Sequence, residues 1–109
     1  MTGNEILKGA ASLMGFGEPS EEMNSIGITV INFVLEDLGK TALKTIDDNI
    51  ELTETERSAL LSGTSMLLSV AIGDLRAKEC FSAIYNEKRS RVKIAKGKVT
   101  DSLPNGEVL

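Results

Sequence analysis

Six cations fall between positions 88 and 98: Lys88, Arg89, Arg91, Lys93, Lys96 and Lys98. Ammonium and guanidinium groups at this density can meet phosphates or carboxylates of a partner through charge-assisted hydrogen bonds. On a helix Arg89, Lys93 and Lys96 share a face, while Lys88 and Arg91 lie on another flank. Charge wrapped around a helix in this way suits contact with a nucleic-acid backbone or an acidic surface better than the reading of bases. A solvated helix end accounts for the same residues, because cations are favoured near a helix C-terminus.

Little else in the chain has the makings of chemistry. The carboxylate pairs Glu21/Glu22, Glu36/Asp37 and Asp47/Asp48 are sequence neighbours, and on a helix such neighbours diverge. Asp47 and Asp48 read as a solvated turn rather than a cation site, since no ligand spacing follows them. Cys80 is the single cysteine, so an internal disulfide and a thiolate-rich metal cluster are excluded. Histidine is absent, which removes the commonest general base and the commonest transition-metal ligand. There is no phosphate-binding G-x-x-x-x-G-K-[ST], no dinucleotide fingerprint and no nucleophile elbow. No catalytic, cofactor-binding or metal-binding residues are expected, and the chain does not read as an enzyme.

The elements that would carry the cations are helical. At 109 residues, with 41% hydrophobic and 26% charged content, the chain has the size and composition of one globular domain. Its aromatics are Phe16, Phe33, Phe81 and Tyr85, so the core must be built from aliphatic residues, which suits helix packing. No apolar run approaches the ~20 residues that span a bilayer, and no membrane association is expected. The opening residues MTGNEILKGAASLMGFG place no positive charge ahead of their apolar part, so no signal peptide is expected and the reading is cytosolic. The net charge of −4 hides an asymmetry. Residues 1–75 hold twelve acids against four bases, whereas residues 76–98 hold eight bases against Glu79 and Glu87. Such a dipolar molecule can stack on copies of itself or dock on a charged partner.

Thr2 and Glu5 match the capping-box pattern, and Ile6, Leu7, Ala10, Leu13 and Met14 recur at helical spacing until Gly15 and Gly17. Ser20 caps a second helix, along which Met23, Ile26, Val30, Phe33, Val34 and Asp37 fall near one face. Its β-branched cluster Ile28-Thr29-Val30-Ile31 favours a strand. Four turns of apolar periodicity between Ser20 and Gly39 outweigh it. Thr41 to Ile46 has room for one or two helical turns. Thr53 and Glu56 form a second capping box, opening a helix with Ala59, Leu60, Met66, Leu67, Val70 and Ala71 inside. Gly63, among Ser62, Thr64 and Ser65, costs that helix ~1 kcal/mol relative to Ala, so another helix is expected to approach closely there. Gly73-Asp74 is a helix stop followed by a cap. Leu75, Ala77, Cys80, Phe81, Ile84, Tyr85 and Lys88 mark the expected buried face of the last helix, which Gly97 should end. Cys80 on that face reads as a small buried hydrophobe.

The expected fold is all-α: a four- to five-helix bundle over 1–98, with a long C-terminal helical hairpin (about 53–72 and 74–96) and an extended, flexible or partner-docking tail at 99–109. Gly63, Gly73, Phe81 and Tyr85 are the expected packing residues, within or between subunits.

With these elements in place, the sequence resembles the head-to-tail connector (head-completion, or neck) proteins of tailed bacteriophages and prophages. The likeness rests on an N-terminal helix ending Ala11-Ser-Leu-Met-Gly15, followed by an acidic helix. It continues in the opening Leu52-Thr-Glu-Thr-Glu56 and the early glycine at Leu61-Ser-Gly63. The turn Ala71-Ile-Gly73-Asp74 and the spacing from Phe81 to Tyr85, running into a basic end, complete it. Residues 52–98 carry most of it; Ser62 stands where a bulkier residue is expected, and there is no Trp. The resemblance implies a helical virion structural protein that forms a homo-oligomeric ring between portal and tail or neck components. DNA would pass through its lumen, and the protein would reside in the virion neck after assembly in the bacterial cytoplasm. The competing reading is a small helical DNA-binding or regulatory protein that places residues 88–98 on phosphates.

Overall fold

A computed structural model describes residues 1–101, with residues 96–101 considered as backbone only. The described chain is all-helical: α1 (Gly3–Leu13), α2 (Glu21–Asp37), α3 (Glu54–Ala71) and α4 (Leu75–Asp101). Each helix starts where a short polar side chain takes up an orphan amide. The Thr2 and Thr53 hydroxyls accept from the Glu5 and Glu56 amides, and each glutamate accepts from the threonine's own N–H in return. The Ser20 hydroxyl accepts from the Met23 amide, and the Asp74 carboxylate from that of Ala77. α1, α2 and α3 stop at Gly15, Gly39 and Gly73, all with positive φ. At each stop the residue after the glycine donates five residues back, as Asp74 N does to Ser69 O at 2.9 Å, which closes the Schellman pattern.

The centre of the molecule is α3. Ala59, Leu60, Ser62, Gly63, Thr64, Ser65, Leu68 and Ser69 are all buried, and together they cover nearly every direction around its axis. A helix enclosed on all sides has no polar face, which is why its apolar periodicity is weak. Small residues let its neighbours come close. A Cβ on Gly63 would stand 2.8 Å from both Tyr85 Cε1 of α4 and Val34 Cγ1 of α2, so the expected close approach occurs within the chain. Gly9 of α1 faces Leu61 Cδ2, and the buried Ser65 hydroxyl donates to the Ala10 carbonyl at 3.1 Å. Among the described residues α1, α2 and α4 all pack on α3, α1 also packs on α2, and α4 packs on neither α1 nor α2 backbone to backbone.

The β-branched run in α2 stays helical because it supplies core: Val30, Ile31, Val34, Leu35 and Leu38 are buried against the other helices. Tertiary burial overrides the local strand preference there. Phe33, expected on the buried face, is exposed instead, since the buried arc centres on Gly27, Ile31 and Val34.

The segment between α2 and α3 forms no helix. Asn32 holds it by pairing its side-chain amide with both backbone groups of Leu43 (2.7 and 2.9 Å). Asp48 accepts from the Lys44 and Thr45 amides and the Thr45 hydroxyl, which satisfies locally the groups a helical turn would have used. The loop then lies against the start of α1: Ile50 N donates to Met1 O at 2.8 Å and Asn4 N to Ile46 O at 3.0 Å.

Two expectations for α4 are corrected. Gly97 does not end it, and the helix runs through Asp101, taking in the first residues assigned to the tail; residues 102–109 lie outside the described part. Its buried face is also rotated. Tyr85 and Val92 are buried and Phe81 is half-buried, but Leu75, Cys80 and Ile84 face solvent. Lys78, Ser82 and Arg89 occupy the packed flank in their place. Long cationic side chains can do this by laying their methylenes over apolar surface while the charged head stays in water.

Candidate partner-contact surface

The basic segment of α4 is partly committed inside the molecule. Asp37 is the last residue of α2, a poor place for a carboxylate because the helix already ends in uncompensated carbonyls and partial negative charge. α2 has no basic residue in its last turn, so α4 supplies the cations instead. Arg89 donates Nε to Asp37 Oδ2 at 2.6 Å and Nη2 to Oδ1 at 3.2 Å. The Tyr85 hydroxyl donates to the same Oδ2 at 2.5 Å, and Lys93 Nζ donates to the Asp37 carbonyl at 2.9 Å. Side chains thus bridge the gap between α2 and α4, converging on one residue.

The protonation of this cluster follows from its geometry. Hydrogen bonding from Arg89, helped by Tyr85 and Lys93, holds the Asp37 carboxyl below its usual range, against a smaller opposing effect of burial. Burial, then the hydrogen bond and negative charge of Asp37, push the Tyr85 phenol upward, so it remains a donor at any physiological pH. Asp37 in turn raises Arg89.

The remaining cations of the segment are differently placed. Arg91 pairs with Glu87 one turn back, Nη2 to Oε1 at 3.0 Å, on an exposed face where such pairs contribute little. Lys88 is half-buried and makes no ion pair among the described residues. The side chains of Lys96 and Lys98 lie outside the described residues. Of the expected packing residues, Gly63 and Tyr85 meet directly, Phe81 lies half-buried on the packed side of α4, and Gly73 makes the turn into it at φ 78°.

The acidic pairs do not converge. Glu21, Glu22 and Glu36 are exposed, Asp47 accepts from Asn4 Nδ2 at 2.6 Å, and Asp48 is occupied by its own loop. Hydrogen bonds from the Thr45 and Lys44 amides lower the Asp48 carboxyl, as internal use of its oxygens requires. No group of three or more metal-ligating side chains occurs among the described residues. Across the loop, Lys40 Nζ reaches Glu56 at 3.3 Å, tying the end of α2 to the start of α3.

Asp37 is the residue that sequence reasoning passed over as a partner of the basic segment. A signal existed: a carboxylate at the negative end of a helix calls for a cation from elsewhere.

No family model, curated protein or solved structure matches the chain.

Proposed function

We propose that the protein is a structural adaptor of a phage or prophage virion neck, assembling as a homo-oligomeric ring between portal and tail or neck components, with DNA passing through its lumen without being read. The reading rests on the resemblance carried by residues 52–98, whose motifs fall on α3, the Gly73-Asp74 turn and α4. The observation that supports it most is the commitment of the basic segment within its own chain: Arg89 grips the Asp37 carboxylate, Lys93 the Asp37 carbonyl, and Arg91 the Glu87 carboxylate. Cations that neutralise acids of their own chain are less available to phosphates. The same chemistry suits an acidic protein surface, such as a neighbouring subunit or a portal, to the basic end of α4. An adaptor also needs no catalytic group or cofactor.

The test is co-assembly. The protein would be mixed with isolated portal rings from the same phage or prophage and imaged by electron microscopy. An added ring of density beneath the portal supports the adaptor. Bare portals, together with duplex DNA affinity that falls steeply with salt and is lost on neutralising Arg89, Lys93 and Lys96, would replace it with the DNA-binding reading.

A further inference from the structure

The outer face of α2 carries the most exposed aromatic side chain of the described residues. Phe33 is 63% exposed, and it lines an open pocket of about 330 Å³ with Thr29, Asn32, Glu36 and Ala42. Thr29, Phe33 and Glu36 follow one another at four- and three-residue steps, so they share a flank of the helix. Asn32 fixes the opposite wall: its side-chain amide holds both backbone groups of Leu43 and so keeps Ala42 beside α2. Glu36 is exposed, and its carboxylate makes no hydrogen bond or ion pair among the described residues.

An aromatic ring beside an unpaired carboxylate is a receptor for a cationic side chain. A guanidinium fits best, because it can lie flat on the ring while its N–H groups meet both carboxylate oxygens. An apolar occupant would cover Glu36 without giving it a partner, and an anion would be repelled by it.

The chain displays such a group on the outer side of α4. Arg91 is exposed and is held only by Glu87 of its own helix. It does not reach the pocket of its own subunit: Arg89 faces Asp37, and Arg91 lies about 200° further round the helix. Ile84 and Ile94, 43% and 58% exposed, share its face. The spacing on the two helices also matches. Ile84 lies seven residues before Arg91, and the partly buried Ile26 lies seven before Phe33. Two helices laid side by side in the same direction therefore meet as Arg91 on Phe33 and Ile84 on Ile26.

We propose that the pocket at Phe33 and Glu36 binds the Arg91 guanidinium of a second copy of this chain. The ring stacks on the guanidinium plane, the Glu36 carboxylate takes its N–H groups, and the flanking isoleucines cover the seam. The contact is heterologous, α2 of one subunit against α4 of the next, so it propagates until a ring closes or a filament grows. It rests on the adaptor reading and deepens it by naming the subunit contact, yet self-association can be measured without any portal.

Sedimentation velocity over a range of protein and salt concentrations tests it. The wild-type protein should associate with rising concentration and dissociate with added salt. Phe33→Ala should weaken association about fivefold or more. Glu36→Arg and Arg91→Glu should each be monomeric, since like charges then meet in the pocket. A mixture of those two variants should associate again, and so should the double variant, because every contact once more pairs opposite charges. All three positions are exposed, and thermal melts followed by circular dichroism verify that the variants fold. A wild-type protein that is monomeric throughout, single variants that associate like the wild type, or a mixture and double variant that stay monomeric would each overturn the proposal. Portal capping without this contact pattern would refute the contact alone, and this pattern without portal capping would refute the adaptor alone.

Discussion

Replacing Gly63 by alanine should destabilise the protein, although alanine is the better helix former. The propensity gain in a helix interior is about 1 kcal/mol. Against it stands the space at this position. The new Cβ would lie 2.8 Å from Tyr85 Cε1, 2.9 Å from Tyr85 Cδ1 and 2.8 Å from Val34 Cγ1. Comfortable carbon–carbon contact needs roughly 3.5–4.0 Å, so both neighbours must yield at once. Neither is free to do so. Tyr85 is held by its hydroxyl on Asp37, and Val34 is a buried, β-branched side chain with one preferred rotamer on a helix. Overpacking of this kind costs about 1–3 kcal/mol, so a net loss of roughly 1 kcal/mol is expected. Urea denaturation followed by circular dichroism reads it as a lower midpoint at unchanged slope. Adding Val34→Ala should give back part of the Gly63→Ala penalty, a coupling of at least ~0.5 kcal/mol between residues in contact. A Gly63→Ala variant about 1 kcal/mol more stable than the wild type would refute the reasoning, because it would mean that α2 and α4 do not close over this point.

Two further perturbations follow from the polar groups. Asp37→Asn should cost about 1 kcal/mol after solvent screening and release the α2–α4 bridge, visible as faster amide exchange in α4 with α1–α3 little changed. Because the folded carboxyl of Asp37 lies below its unfolded value of about 3.9, its contribution is fully present above that value and is lost as pH falls through the folded one; acid titration of the wild-type protein should show this loss and Asp37→Asn should lack it. Thr64 is fully buried and its hydroxyl has no hydrogen-bond partner, so Thr64→Val, which keeps the shape and removes the unpaired group, should raise stability by up to ~1 kcal/mol in thermal or urea unfolding; a loss of that size would place an unseen partner at the hydroxyl.

The parts of the fold legible in the sequence are those decided within a few residues. Thr2, Ser20, Thr53 and Asp74 cap helices because their side chains reach amides three positions on, and Gly15, Gly39 and Gly73 stop helices because only glycine takes positive φ cheaply. Gly63 was legible for a related reason: a costly residue inside a helix implies a neighbour that needs the space. What escaped depends on partners far away. The rotation of α4 follows from Tyr85 and Arg89 reaching Asp37, 48 and 52 positions distant, and no local pattern encodes that. Phe33 fits the apolar stripe of α2, but two of its neighbours' faces are claimed by α1 and α3, leaving it outside. The segment from Thr41 to Ile46 has adequate helical propensity, yet Asn32 and Asp48 capture the amides and carbonyl that a helix would use. The candidate surface was legible only as a run of cations; that Asp37 holds Arg89 and Lys93 required the packing of α4 on α3.

The adaptor account stands or falls most directly on assembly state, read by light scattering after size-exclusion chromatography across protein and salt concentrations. It predicts a single closed oligomer whose mass stops growing with concentration and which dissociates as salt screens the basic end of α4 from its acidic partner surface. A monomer at every protein and salt concentration that also leaves portal rings bare would contradict it.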